Sequence, residues 1–327
     1  MGRTSDRVSP HTQRGLRGSS AVILLTALLA LALGSACSGG GGPDDGQNAQ
    51  PPAPVIASSA IWADVVSAVS CGRIPVESLV PPGRDAHEFE LTLRAADRVL
   101  RSRLVFTNGL GLDTPLRPTL DLAERSGLDV VALGDFLPAD APPLAGDPHF
   151  WMDPQRVAAV VGVMESHLRD LGLMDEAELA RCAAAYRDRL DRLTATMADA
   201  LAAVPVARRK LVTEHHNLGY FADRFGFTVL GALNDSSSSL AEADPRHLER
   251  LRAGMRAAGI DTVFVESGES DARAAALVRD VSAAGSVVPL HIEIPPRTPH
   301  GPGADPGDLY LTMLATDAER VAAALAH

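Results

Sequence analysis

Residues 175–203 read DEAELARCAAAYRDRLDRLTATMADALAA, a stretch rich in Ala, Arg and Leu that contains neither Gly nor Pro. A run of this kind is expected to form one stiff helix, long by the standard of globular proteins. What flanks it decides its role. On both sides short apolar runs alternate with helical segments, the pattern of an α/β fold. Before it, strands are expected over 55–58, 74–80, 104–107 and 130–133, with helices such as 92–101 and 114–125. After it, strands are expected over 211–213, 228–233, 262–266 and 287–292, with helices over 217–225, 245–258, 271–284 and 308–325. Because strand-bearing halves stand on either side, the long helix reads as a spacer between two lobes. The alternative is a plain packing helix within one domain. The expected division is an N-terminal α/β lobe over 54–172, a linker helix over 173–204 and a C-terminal α/β lobe over 205–327.

The first residues carry Arg3, Arg7, Arg14 and Arg17 against Asp6 alone, followed by the apolar run 21–33 and then Gly34-Ser35-Ala36-Cys37. A positive front, an apolar run too short for a membrane span and small residues before a cut read as an export signal over 1–36. The stretch ending in Cys37 resembles a bacterial lipoprotein signal, in which the cysteine becomes the lipidated first residue. Residues 37–53, rich in Gly, Pro, Gln, Asp and Asn, cannot bury a core and read as a flexible tether. An extracytoplasmic location, with a lipid anchor at Cys37 on the cell membrane, is the expectation.

The whole chain has a formal net charge of −11 and 46% hydrophobic residues, ample for buried cores in a region of this size. Residues 1–36 hold four of the 30 basic residues and one of the 41 acidic ones, so the exported form stands near −14. Such a surface argues against nucleic acid and against electrostatic docking on anionic lipid. Beyond Cys37 there are two cysteines, Cys71 and Cys182. They can pair in an oxidising exterior, but spacing alone does not bring their Cα atoms within bridging reach, so a disulfide and two buried thiols both stay open.

The residues that carry chemistry sit where loops follow strand-like runs. Val80-Pro81-Pro82-Gly83-Arg84-Asp85-Ala86-His87 ends a strand with prolines that stop ladder pairing and a glycine that allows a sharp turn. His87 is thereby placed at the carboxyl end of a strand, where open α/β sheets gather ligands. In Asp147-Pro148-His149-Phe150-Trp151-Met152-Asp153-Pro154, prolines restrict the backbone on either side of His149, and Asp153-Pro154 reads as a helix N-cap with proline in the first turn. Val212-Thr213-Glu214-His215-His216-Asn217 runs from a strand into a helix, and neighbouring histidines on a turn point apart, so at most one joins a shared ligand shell. Leu290-His291-Ile292-Glu293 alternates in period two, which puts His291 and Glu293 on one face, and either can ligate. Three imidazoles and a carboxylate are donors that four-coordinate zinc accepts, and drawing them from distant segments couples metal binding to folding.

Together these segments resemble the cluster A-I metal-binding proteins, the solute-binding components of zinc and manganese ABC importers. The resemblance rests on Leu79-Val80-Pro81-Pro82-Gly83 with His87, Glu88, Phe89 and Glu90; on Asn108-Gly109-Leu110-Gly111-Leu112; on the stretches 147–154 and 215–224; on Phe264-Val265-Glu266; and on Leu309-Tyr310-Leu311 with Met313-Leu314. It spans the chain from Pro54 onward. It implies two similar α/β lobes joined by one long linker helix, with metal held in the cleft between them. Carried over by position, its ligands fall on His87, His149, His215 and Glu293. The stretch around Glu293 departs from the family pattern, which leaves His291 or water as other candidates for the fourth place. The resemblance also implies a monomer working with an ABC permease and its ATPase, anchored through Cys37.

Three imidazoles with one carboxylate favour Zn2+ as the cargo, whereas manganese sites use more oxygen. Residues 137–146 are few and lack histidine, so the long His- and acid-rich loop of many zinc importers is missing. A site filled by four protein ligands leaves no position for substrate or activated water, which argues for capture and delivery without chemistry. Two rivals follow. A manganese-type binder of the same family needs more oxygen donors, and a zinc-dependent hydrolase needs an open fourth position and a base such as Glu90, Glu214 or Glu266. Imidazole must be neutral to ligate, so affinity is expected to fall below about pH 6.5, the ordinary histidine value.

Overall fold

Val55, Ala57 and Ile56 divide between two cores, the first two turned to one face of a strand and the third to the other. That alternation is how a parallel sheet covered on both faces reads in residues. The protein is described here by a computed structural model covering residues 55–236, 244–268, 272–295 and 305–326. The expected export signal, tether and Cys37 lie outside the described residues. Among the described residues no helix is long and apolar enough to cross a membrane.

The N-terminal lobe runs β1 (Val55–Ser59), α1 (Ala60–Val69), β2 (Val76–Val80), α2 (Leu93–Arg101), β3 (Leu104–Thr107), α3 (Arg117–Arg125), β4 (Asp129–Ala132) and α4 (Pro154–Leu171). Next comes α5 (Glu176–Leu201). The C-terminal lobe follows with β5 (Lys210–Thr213), α6 (Gly219–Phe225), β6 (Thr228–Ala232), α7 (Pro245–Ala258), β7 (Thr262–Glu266), α8 (Ala272–Val281), β8 (Ser286–Leu290) and α9 (Asp308–Leu325). Both sheets are parallel, ordered β2-β1-β3-β4 and β6-β5-β7-β8, so one topology is used twice. Each sheet reverses its order next to the first strand, and the loops beyond the carboxyl ends of the strands meet there.

Helix α5 has 26 residues, about 39 Å at 1.5 Å per residue. Asp175 caps it, its side chain accepting from the Glu178 N–H at 2.9 Å. Leu179, Cys182, Ala183, Tyr186, Leu190, Leu193, Met197 and Leu201 are buried at helical spacing and face α4, α1 and α9. The helix is therefore more than a spacer: its apolar stripe is packed along its whole length. Helix α9 returns from the second sheet to lie across it, and the Gly307 and Tyr310 N–H groups donate to the Asp64 carboxylate on α1 at 3.1 and 2.9 Å. One apolar core consequently runs through both lobes, joining Val55, Trp62 and Trp151 to Phe264, Leu290 and Tyr310. Separate outer cores lie behind each sheet, around Ile56 and Val105 in the first lobe and around Val263 and Met255 in the second.

Three boundaries differ from the sequence reading for identifiable reasons. Helix α1 was not anticipated, because the run from Val55 to Val69 is apolar almost throughout; Ser59 ends the strand and also caps the helix, accepting from the Trp62 N–H. The segment 114–125 opens with a short 3-10 turn before α3, since Pro115 and Pro118 remove donors from the regular helical ladder. Strand β8 stops at Leu290 instead of continuing to 292: the Ser267 N–H takes the Leu290 carbonyl, and the His291 N–H turns to the Asp317 carboxylate.

Cys71 and Cys182 form a disulfide with Cα atoms 5.6 Å apart, linking the turn after α1 to α5 across 111 residues of sequence. Of the two states left open by the sequence, this is the one found. It staples the linker helix to the first lobe, and bridges closing long loops restrict the unfolded chain most. Replacing both cysteines by serine should cost about 2–5 kcal/mol, seen as a fall in Tm of roughly 5–15 °C. Reductant should reproduce the shift in the native protein and leave the double variant unmoved; equal melting with and without reductant would show that the bridge carries no stability.

Candidate metal centre

His87, His149 and His215 come from three loops beyond the carboxyl ends of strands and converge between the lobes, one ring nitrogen from each lying within 4.8 Å of the others. Their ring centroids are 5.2 Å (His87 to His149), 5.8 Å (His87 to His215) and 5.2 Å (His149 to His215) apart. The Nε2 atoms of His87 and His149 are 3.1 Å apart. Nitrogen donors around a tetrahedral ion with bonds of about 2.0–2.1 Å are separated by about 3.3 Å, so this spacing suits an ion seated between them.

Each histidine is positioned by something specific. After β2, Gly83 adopts φ +70°, a left-handed conformation open to glycine, and its N–H donates to the Ile294 carbonyl at 2.8 Å. The chain then turns through Asp85, whose Oδ1 accepts from the His87 N–H at 2.7 Å. His149 is fixed more tightly. The Asp147 Oδ1 accepts from the His149 backbone N–H at 2.9 Å and stands 2.8 Å from its Nδ1, so the ring carries its proton on Nδ1 and turns a bare Nε2 toward the other imidazoles. Behind it, the Asn108 side chain donates to the Pro148 carbonyl and receives the Trp62 indole N–H, both at 3.0 Å. Trp151 and Phe150 are buried beside it. Truncating such a fully buried aromatic costs about 3–5 kcal/mol, so these two residues report on folding rather than on ligation.

The second lobe braces the same loop. The Tyr220 hydroxyl donates to the Asp147 carbonyl at 3.0 Å and accepts from the Leu144 N–H at 2.9 Å. Gly219 lies so close to Asp147 that an added Cβ would stand 2.4 Å from its Oδ2. Only glycine lets the carboxylate pass there. Asp153 caps α4 as expected and is also gripped by Arg224 through Nε and Nη2, at 2.8 and 2.9 Å. Arg156 of α4 reaches Asp223 of α6 at 3.2 Å. These ties explain the sequence run from His215 to Arg224, which carries one ligand candidate and four residues that hold the other lobe.

His215 is 1% exposed and neither of its ring nitrogens has a hydrogen-bond partner. Its neighbour His216 points elsewhere, to Asp235. The His215 ring is pushed down to about 2, by burial first and then by His149, His87 and His216. His87 is lowered to about 4, by burial and then His149, against the opposing pull of Asp85 and Asp147. Both are neutral at any physiological pH, which is the state that binds a metal ion.

Glu293 lies outside the three-imidazole group. With Asp85, Glu266, His291 and Gly83 it lines an adjoining cavity of about 290 Å³. Its carboxyl is held well above the usual range by burial first, then by Glu266 and Asp85. His291 also lines that cavity, although both residues sit on a turn rather than on the alternating strand expected. The turn is sewn to the first lobe: the Trp151 indole donates to the Ile292 carbonyl at 2.9 Å, and Gly83 holds the Ile294 carbonyl. Asp85 connects the two places, facing His87 with its carboxylate and Glu293 with its charge. Of the bases considered for a hydrolase, Glu90 is exposed and Glu266 belongs to this cavity. The supporting residues Asp85, Asn108 and Asp147 stood inside the quoted motifs, but nothing in their order revealed what each would hold.

Comparison with known proteins gives a consistent answer. Residues 55–324 match the family model described as ZnuA, zinc-uptake complex component A, periplasmic. The zinc-binding protein TroA of Treponema pallidum is 28% identical over 277 residues, covering 84% of this chain and 89% of that protein. Its solved structure superposes with a TM-score of 0.73 at 27% identity, over 84% of this chain and 99% of that one. The manganese-binding lipoprotein MntA of Halalkalibacterium halodurans is 28% identical, covering 76% of this chain and 80% of that protein. With a single family model spanning both sheets, the linker helix and all three converging histidines, the chain belongs to the ZnuA family of metal-binding solute-binding components of ABC transporters, which are not enzymes.

Proposed function

We propose that this protein captures Zn2+ in the cleft between its lobes, on the extracytoplasmic face of the cell membrane, and delivers it to an ABC permease driven by its ATPase. The observation that carries this reading is His215. A buried polar group without a partner costs about 1–3 kcal/mol, and here both nitrogens of one ring are left so, facing two further imidazoles. A divalent cation accepts all three lone pairs at once. Nitrogen-rich coordination favours zinc over manganese. Glu293 is the fourth donor in this reading, since a cation beside it would relieve the repulsion among Asp85, Glu266 and Glu293. The disulfide suits an oxidising exterior, and the Cys37 anchor with its tether keeps the monomeric binder close to its permease. A manganese cargo is the second reading, favoured by the oxygen donors of the adjoining cavity and by the relatives named for manganese.

The purified protein should bind one Zn2+ in the cleft and hold it against excess Mn2+, measured by competition dialysis with elemental analysis. His215→Ala and His149→Ala should each weaken zinc by roughly 100-fold or more, because a structural zinc site depends on its full set of donors. Preferential retention of Mn2+ would overturn the zinc assignment in favour of the second reading.

The pH dependence follows from the lowered imidazoles, and the onset differs from the ordinary histidine value of about 6.5. With His87 at about 4 and His215 at about 2, protons compete for these two donors only below about pH 4–5, so a fall in zinc affinity above pH 5 comes from other donors, the raised Glu293 carboxyl first among them. The metal-free protein behaves differently. Unfolding lets these rings take up protons below about 6.5 that the folded state refuses, so its stability is full above that value and falls as pH drops toward 4. Chemical denaturation of the apo and zinc-loaded forms between pH 7 and 4 checks both signs; an apo stability independent of pH would contradict the burial of neutral rings.

Glu293→Gln separates its two roles. Removing a repelled carboxylate should leave the apo Tm unchanged or raised, while zinc affinity falls by roughly 10-fold or more as an anionic donor is lost. Unaltered zinc binding in that variant would assign the fourth position to water or to His291.

A further inference from the structure

Helix α9 buries Tyr310, Met313, Leu314, Ala318, Val321 and Leu325 at helical spacing, and Asp317 stands in the middle of that stripe at 1% exposure. The period calls for an apolar residue there. A carboxylate has room for about four hydrogen bonds. Among the described residues Asp317 receives only one donor, the His291 backbone N–H, 3.0 Å from Oδ1 and 2.9 Å from Oδ2. The Arg320 Nη1 stands 3.7 Å from Oδ1, beyond hydrogen-bonding distance, and donates instead to the Pro289 carbonyl at 3.1 Å. A buried charge with so few partners is costly, and helix α9 by itself has no use for it.

Its use lies opposite, at the end of β8. Beyond Leu290 the chain leaves the sheet and the His291 N–H loses its ladder partner. Asp317 takes that hydrogen between both oxygens, which fixes the peptide joining Leu290 to His291, close before Glu293 in the chain. The carbonyls nearby are tied as well: Leu290 by the Ser267 N–H at 2.8 Å, Ile292 by the Trp151 indole at 2.9 Å and Ile294 by the Gly83 N–H at 2.8 Å. Helix α9 is itself pinned to α1 through Asp64, so the grip on the turn is referred to the lobe that carries His87 and His149. Glu293 needs such a grip. Glu266 and Asp85 share its cavity and repel its carboxylate, so a turn left loose would carry it away from them.

We propose that Asp317 is a positioning residue, one that holds the turn after β8 so that the Glu293 carboxylate is already in place when a cation arrives among the three imidazoles. The proposal rests on the reading of Glu293 as fourth donor given above. Asp317 touches no ion and acts only through the His291 N–H. Its effect belongs with that of the hydrogen bonds that orient metal ligands from behind, whose loss commonly weakens metal binding by about 10–100-fold.

The test is zinc affinity, by competition with a chromophoric chelator, together with the visible spectrum of the Co2+-loaded protein, for Asp317→Leu, Asp317→Asn, Glu293→Gln and the double variant Asp317→Leu with Glu293→Gln. Asp317→Leu should weaken zinc by about 10-fold or more and shift the Co2+ bands as Glu293→Gln does. In the Glu293→Gln background it should change affinity by less than about 3-fold, because residues acting through one another are not additive. Asp317→Asn keeps an oxygen for the His291 N–H and should stay close to native, and Asp317→Ala repeats the measurement if the leucine variant does not fold. Native affinity and a native Co2+ spectrum in Asp317→Leu and Asp317→Ala, with Glu293→Gln impaired, would overturn the proposal and leave Glu293 as the donor. Equal losses from Asp317→Leu in the native and Glu293→Gln backgrounds would also overturn it, showing that Asp317 supports the fold at large. Unaltered zinc binding in Glu293→Gln counts against Glu293 as fourth donor, and the proposal then falls with that reading.

Discussion

The Asp147 carboxylate is the constraint on which the site depends. By accepting from both the backbone N–H and the Nδ1–H of His149, it decides which face of that imidazole is bare. Once Nε2 of His149 is stripped of its hydrogen, the 3.1 Å approach of the His87 Nε2 has no stable explanation without a shared hydrogen or a shared cation. His215 closes the third side with no hydrogen bond of its own. The carboxylate is in turn hemmed by the second lobe, where Gly219 leaves room for it and Tyr220 holds its carbonyl. One short acidic side chain thus couples the protonation state of a ring to the packing of two lobes.

That coupling depends on how the lobes are joined. A cleft between freely hinged bodies would let the three rings drift apart and solvate. Here the lobes share one core, α5 is packed along its length, and α9 crosses back from the second sheet to dock on α1. Asp153, buried completely, accepts from Arg224 of the opposite lobe while also capping α4. Breaking that contact takes one of two arginines from a buried carboxylate, the other being Arg156 at 3.3 Å, and so costs energy. Movement that releases cargo must therefore come from the loops at the strand ends, or from an outside partner able to supply that energy.

Much of this was legible in the sequence. Repeated strand-helix alternation on either side of a Gly- and Pro-free helix gave both lobes, because parallel sheets buried on two faces produce continuous apolar strands. His87, His149 and His215 each stood after such a strand, and the order of motifs linked them. Other features were hidden for physical reasons. Helix α1 was masked by its uniform burial, which erases the amphipathic period. The disulfide depended on how α1 and α5 pack, and spacing in the chain does not encode that. Glu293 read as a strand residue, whereas hydrogen bonds from Ser267, Trp151 and Gly83 and to Asp317 turn the chain at that point. Those partners lie dozens to hundreds of residues away, beyond any local pattern. The choice between His215 and His216 was equally non-local, since Asp235 draws His216 to the outside.

Charge balance accounts for the carboxylates around the three rings. Neutral imidazoles supply lone pairs but no charge, so a divalent cation among them would remain a buried double charge. The cost of desolvating an ion in a protein interior is several kcal/mol even after relaxation, and the ordinary remedy is a nearby opposite charge. Asp147 lies directly behind His149, and Asp85 lies against the His87 backbone. Beyond them Glu266 and Glu293 line the adjoining cavity, where burial first, and then repulsion by Glu266 and Asp85, raises the Glu293 carboxyl. Without a cation this acidic wall is destabilised by its own charges; beside one it becomes the missing counterion. In the proposed reading nitrogen would select the ion and oxygen would neutralise it. The two tasks fall to adjacent pockets because the same loops after β2 and β8 line both.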